Sequence, residues 1–236
     1  MPARARTAPP GAQRRNQELS REQIIDTAIR LLDGGGEGAL TVRAMTDRLA
    51  TGSGAIYHHV GNRDELLDAA TETVITAALA TGPAGAQASP EDEIRVVAPA
   101  LFDAIAEHAW LATRLTLQVV RNPVGPVTVG IFERLGRQVG ALGVPRARWF
   151  DAASTLVHYL LGAISQNTRV EGDTSGIDPD ADRAESVDAT ARAWQDLDTD
   201  SYPFMRAVAG QAGAHDDREQ FLTGVAVVLH GLAHLR

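Results

Sequence analysis

Between Thr41 and Arg63 the chain gathers side chains that hold partners rather than break bonds. They are the hydroxyls of Thr41 and Ser53, the phenol of Tyr57, the imidazoles of His58 and His59, and the guanidinium groups of Arg43 and Arg63. A guanidinium can bond O6 and N7 of one guanine together, and its planar fork of donors suits phosphate equally well. Residues that could cut or transfer are harder to find. His230 and His234 stand one helical turn apart, but Gly231 occupies the place where a metalloprotease needs glutamate. That pair reads as helix-end histidines beside the negative end of the helix dipole. Asp178, Asp180 and Asp182 imitate the opening of a calcium loop, yet Arg183 replaces its glycine and Ala189 its closing glutamate. Zero Cys rules out thiolate catalysis and thiolate metal sites. With no Walker loop, no G-x-G-x-x-G and no G-x-S-x-G, no catalytic residue, metal site or cofactor is expected, and the chain is not read as an enzyme.

The donor-rich segment lies among short helices. Ser20 with Gln23 has the reciprocal pattern of a capping box, and Ile24, Ile25, Ala28, Leu31 and Leu32 follow at helical spacing. Gly34, Gly35, Gly36 and Gly38 should stop that helix. Thr41 is a natural N-cap for a second helix with Val42, Met45 and Leu49 as its buried stripe. The turn Ala50-Thr51-Gly52-Ser53 is short and contains a glycine, as two steeply crossing helices require. Ser53 or Gly52 can cap a third helix reaching about Val60. Asn62 with Glu65 repeats the cap signature before a fourth, longer helix carrying Leu66, Leu67, Ala70 and Val74. This is the layout of a helix-turn-helix, which lays its short third helix across the major groove while neighbouring groups hold phosphates.

The segment resembles the DNA-binding domain of the tetracycline-repressor family of bacterial transcriptional regulators. The resemblance rests on Leu40-Thr41-x-Arg43, the spacing to Leu49, and Tyr57-x-His59-Val60-x-Asn62-Arg63 followed by Leu66-Leu67-Asp68-Ala69, and covers about a fifth of the chain. Three positions depart from the usual pattern: Ala50 stands where a turn glycine is common, Thr51 where a small apolar residue packs, and Arg63 where lysine is usual. The first two should loosen the turn by ~1 kcal/mol each. The resemblance implies that Arg43 reads a base edge, that Ser53, Ala55 and Tyr57 lie nearest the bases, that Thr41, Tyr57, His59 and Arg63 hold the backbone, and that His58 belongs to the same DNA-binding set. Packing of the Tyr57 ring on the first helix is an equally good reading. Because Ser53, Gly54 and Ala55 are small, DNA shape and water should carry much of the specificity.

Beyond that segment the composition changes. Residues 1–15 hold four Arg and no acid, whereas residues 64–236 hold 13 Arg against 24 acids; the whole chain has formal net charge −8. A local basic field can serve DNA although the body is acidic. With 236 residues, 44% of them apolar, the chain suits one small and one larger domain. We expect a basic arm over 1–18, a helix-turn-helix domain over 19–66 and a ligand-binding and dimerisation domain over 67–236. Residues 80–90 read as a small-residue connector, and Ser89-Pro90 with three following acids opens a helix that Pro99 should kink. Further helices are expected at about 110–121, 125–142, 146–169, 186–197, 202–213 and 216–235, with an acidic loop over 170–185 and no alternating strand pattern. The fold class is therefore all-α. No stretch is long and apolar enough for a membrane span, so no membrane partner and a cytoplasmic location are expected.

A second resemblance, to the C-terminal ligand-binding domain of the tetracycline-repressor subgroup, lies in Tyr202-Pro203-Phe204, Phe221-x-x-Gly224-Val225 and Leu229-x-Gly231. It implies a homodimer whose copies pair helices 146–169 and 216–235 in a four-helix bundle, with Gly224 and Gly231 permitting close approach. Its partners would be a double-stranded DNA operator and a small-molecule effector. Aromatic and polar residues mixed into apolar faces make Phe102, Trp110, Arg114, Gln118, Trp149, His158, Tyr159 and Asn167 the candidates for effector contact. The leading function is a ligand-responsive repressor released from a palindromic operator by its effector. An all-helical sensor or carrier with weak or lost DNA binding is the alternative.

Overall fold

Ser20 starts the first helix as its sequence predicts: its hydroxyl accepts from the Gln23 amide and Gln23 Oε1 accepts from the Ser20 amide, both at 3.2 Å. The computed structural model describes residues 19–83, 88–166, 188–212 and 216–235, and among them every regular element is helical. The basic arm 1–18, the loop 170–185 with its calcium-loop imitation, and Asn167 lie outside the described residues. The chain divides into two compact units, Met1–Ala70 and Thr71–Arg236.

The first unit holds α1 (Arg21–Ala39), α2 (Val42–Leu49), α3 (Ser53–Val60) and the start of α4 (Arg63–Ala80). The glycine run ends the regular turns of α1 at Gly36, whose φ of 60° and ψ of −164° suit only a residue without Cβ. Ile24, Leu32, Ile56, Leu66 and Leu67 are each at most 2% exposed, so α1, α3 and α4 all contribute to this core. Each such burial stabilises by about 1.5–3 kcal/mol. Val42 departs from its expected place in the stripe: it is 47% exposed, while Met45 is buried. The first residue of an eight-residue helix reaches past the neighbours that cover the next turn.

Ala50 closes α2 in the left-handed region, at φ 49° and ψ 43°. That conformation costs alanine about 1–2 kcal/mol, whereas glycine loses only ~0.4–1 kcal/mol through extra freedom in the unfolded chain. Strain wins. Ala50→Gly is therefore expected to stabilise the first unit by about 0.5–1 kcal/mol, raising its melting temperature by roughly 2–6 °C in a calorimetric scan. An unchanged or lower melting temperature would show that the turn is not strained.

The second unit contains α5 (Pro90–Glu107), α6 (Leu111–Arg121), α7 (Pro126–Ala141), α8 (Trp149–Gln166), α9 (188–195), α10 (Pro203–Ala212) and α11 (Asp217–Ala233). A 3₁₀ turn, Arg146–Arg148, leads into α8. Helix α5 starts after Ser89 as expected, with Ser89 and Asp92 forming a capping box, and Asp92's carboxyl is held below its usual range, chiefly by the Ser89 hydroxyl and then the Ser89 amide. Helix α5 passes through Pro99 as one element. Helices α5, α7, α8 and α11 pack on one another around Ile94, Leu135, Leu156 and Phe221, and α6 packs on α7 and α8 through Leu111 and Leu115. Two ion pairs tie distant segments. Asp103 on α5 accepts two bonds from Arg218 on α11 at 2.8 and 3.0 Å. Arg134 on α7 reaches Glu93 on α5 at 2.5 Å and the Thr81 carbonyl, just past α4, at 3.3 Å. No described helix is long and apolar enough to cross a membrane.

Candidate nucleic-acid interface and effector site

Helix α3 is anchored by two buried residues and exposes most of the others. Ile56 and Val60, one turn apart, are buried, leaving Ser53, Gly54, Ala55, His58 and His59 exposed and Tyr57 half-buried. Half-burial of Tyr57 fits both of its readings, with the ring against the protein and the hydroxyl available. On α2, Arg43 has a 92% exposed side chain whose nearest ion-pair partner, Asp47 Oδ2, is 3.7 Å away. A surface pair of that kind contributes at most ~1 kcal/mol, so the guanidinium can exchange it for another acceptor at little cost. The Thr41 hydroxyl is already engaged, accepting from the Ala44 amide at 3.1 Å as the N-cap of α2.

Arg63 makes contacts within the chain that lie outside its phosphate-holding expectation. Its Nη2 donates to the Glu37 carbonyl at 2.6 Å, which also accepts from the Leu40 amide, and its Nε donates to the Leu40 carbonyl at 3.3 Å, so the guanidinium ties the start of α4 to the end of α1. A lysine could make only one of these bonds well, which gives the departure from the family pattern a structural reason. Arg63→Lys is expected to lower the stability of the first unit by about 1 kcal/mol, read by chemical denaturation. No loss would return Arg63 to a phosphate-only role.

Thr51 also finds a setting that the sequence did not predict. It lines a polar cleft of about 640 Å³ with Gln23, Asp26, Thr27, Arg30 and Ala50. Its hydroxyl therefore avoids the desolvation that an apolar site would impose. Nearby, Glu22's carboxyl is held below its usual range by its own backbone amide and the Ser20 hydroxyl. Arg21 and His59 add smaller attractions, so His59 is within electrostatic reach of the first turn of α1.

In the second unit the effector candidates separate into groups. Phe102 on α5 and Tyr159 on α8 meet around Phe221 on α11, with ring centroids 4.7 and 6.0 Å from the Phe221 ring. Tyr159 Oη donates to the Phe221 carbonyl at 2.9 Å, and burial raises the phenol's pKa. Gly224 makes this crossing possible, because a Cβ there would stand 1.9 Å from Tyr159 Oη. Tyr159 and His158 border an open groove of about 430 Å³ between α8 and α11. Trp110, Arg114 and Gln118 recur every four residues and so share one face along α6, with Trp110 buried. Among the described residues, Gln118 Oε1 is buried without a hydrogen-bond partner, as is Ser154 Oγ on α8.

Trp149 stands apart from both groups. Its indole Nε1 donates to the Val144 carbonyl at 2.7 Å, its ring covers Gly140, and the Arg146 guanidinium lies 5.6 Å from the ring centroid. It pins the corner between α7 and α8. Sequence reasoning missed Phe221 as the centre of the aromatic group and Ser154 as a polar residue within the core. Helical periodicity marks both as buried but cannot say what they face.

The family description "Bacterial regulatory proteins, tetR family" matches residues 24–70, the span of α1 to the first turns of α4. "Tetracyclin repressor-like, C-terminal domain" matches residues 83–236, well over half of the chain. The chain belongs to the tetracycline-repressor family. Its first unit is that family's helix-turn-helix DNA-binding domain, and the family consists of transcriptional regulators. The transcriptional regulator SCO7222, a TetR from Streptomyces coelicolor, is 52% identical, with TM-score 0.81 over 92% of this chain and 99% of that one. The ActR structure from the same organism, in complex with actinorhodin, shares the fold at 24% identity and TM-score 0.70, covering 92% and 96% of the two chains. An HTH-type transcriptional regulator of Saccharopolyspora erythraea is 28% identical over 150 residues, 62% of this chain. The chain spans 53–60% of the length of the first curated relatives it matches.

Proposed function

We propose that this tetracycline-repressor family regulator is a cytoplasmic repressor that binds a palindromic operator as a homodimer and is released by a small-molecule effector. The observation that carries the reading is α3: held from behind by Ile56 and Val60, it leaves its remaining surface free to enter a major groove. Arg43 reads a guanine edge, Ser53, Ala55, Tyr57 and His58 lie beside the bases, and Thr41, Tyr57 and His59 position the backbone. Arg63 serves mainly by holding α1 and α4 in register.

Exposed apolar and small residues on the outer helices support dimerisation. Phe150, Phe204 and Val227 are 76%, 73% and 66% exposed, while among the described residues a Cβ at Gly162 or Gly231 would meet nothing within 4 Å. A second copy packed on α8 and α11 would cover Phe150, Gly162, Val227 and Gly231 and set two α3 helices about one DNA turn apart.

Buried Gln118 Oε1 and Ser154 Oγ support an effector that is largely apolar and carries hydrogen-bond donors. Each unpaired buried acceptor costs about 1–3 kcal/mol, which a donor on the ligand would relieve. Coupling would run through α4, which begins in the first unit and whose far end is held within the second by Arg134. To carry the protein from 1% to 99% released, the effector must favour the released state by roughly 10⁴-fold. The test takes the small molecule that co-purifies, identified by mass spectrometry, and adds it to the protein on DNA flanking its own gene. Release at saturation supports the mechanism, and retention overturns it. A stable monomer by sedimentation at micromolar concentration would overturn the dimer.

A further inference from the structure

The last turns of α11 carry two imidazoles that the proposed regulation does not use. His230 and His234, four residues apart, lie on one helix face, are both exposed, and have ring centroids 4.7 Å apart. Spacing alone makes them helix-end histidines, but one contact adds chemistry: Nδ1 of His234 lies 2.8 Å from the His230 carbonyl oxygen. A carbonyl can only accept, so Nδ1 is the donor, and in the neutral ring Nε2 then keeps its lone pair. A backbone carbonyl on the other ring nitrogen is the support that metal-binding histidines usually have, because it fixes both tautomer and ring orientation.

We infer that His230 and His234 form a chelating site for a divalent transition ion such as Zn²⁺, bound through Nε2 of His234 and a ring nitrogen of His230. Imidazole suits zinc, copper and nickel, whereas calcium and magnesium prefer oxygen. Two protein nitrogens leave the remaining coordination positions to water or to donors of a second copy. Consecutive His58 and His59 offer a natural contrast, since neighbouring residues on a helix project in different directions and their ring centroids are 5.7 Å apart.

The test titrates Zn²⁺ alone into the full-length protein by calorimetry near neutral pH, where imidazole ligands are available to metal. Binding of one ion per chain, or one per two chains where two copies share it, is the expected result. His230→Gln and His234→Gln should each weaken binding by at least ~10-fold, and His58→Gln should leave it unchanged. His230 and His234 are both exposed, and circular dichroism is the check that the variants fold. Absence of Zn²⁺ binding, or binding that survives either substitution at full strength, overturns the site.

Discussion

Arg43→Ala is expected to weaken operator binding by about 2–6 kcal/mol per dimer, roughly 30-fold or more, and to relax sequence preference at one position in each half-site. The magnitude follows from one bidentate contact of ~1–3 kcal/mol in each of two copies. The protein should fold as before, because the side chain is 92% exposed and its pair with Asp47 spans 3.7 Å. Arg48, an exposed charge in the last turn of α2, is the control, and its replacement by alanine should change affinity by less than about threefold. A binding titration over a set of single-base operator variants measures both affinity and preference. If Arg43→Ala lowers affinity evenly across all variants, the guanidinium holds a phosphate instead of reading a base.

Phe221→Ala is the second large effect, expected to cost the second unit about 3–5 kcal/mol. Phe221 is 1% exposed and stands between the rings of Phe102 and Tyr159, so truncation leaves a cavity walled by two aromatic faces. For a unit of this size the melting temperature should fall by roughly 6–20 °C. Tyr159→Phe should cost only about 0.5–1.5 kcal/mol, since it removes one hydrogen bond and keeps the ring. Denaturation monitored by tryptophan fluorescence separates the two, and a loss below ~1 kcal/mol for Phe221→Ala would mean that the three rings do not form one packed group.

Much of the local architecture was legible from the sequence because its causes are local. A serine three residues before a glutamine predicts the cap at Ser20, Ser89-Pro90 before three acids predicts the start of α5, and the glycine run predicts where α1 breaks. Ala50 in the turn was visible as a departure, and its left-handed backbone supplies the reason that glycine is usual there. What periodicity could not show depends on residues far apart in the chain. The sequence marks Arg63 as a phosphate ligand but cannot show that Glu37 and Leu40, 26 and 23 residues earlier, present their carbonyls to it. Gly224 was expected to allow two helix backbones to approach, yet within the chain it makes room for Tyr159, 65 residues earlier. Gly231 had the same expectation, and among the described residues a Cβ there would meet nothing within 4 Å. Trp149 and Gln118 carry similar weight as ligand candidates in the sequence. In the fold one is pinned at a helix corner, and the other keeps a buried acceptor open.

The most direct test of DNA reading by this chain is an anisotropy titration of the full-length protein on DNA flanking its own gene and on a random duplex of equal length, each at about 50 and 200 mM salt. The account predicts a preference of at least ~10³ for the flanking DNA, with affinity for both duplexes falling steeply as salt rises. Equal affinity for the two duplexes at both salt concentrations would contradict it.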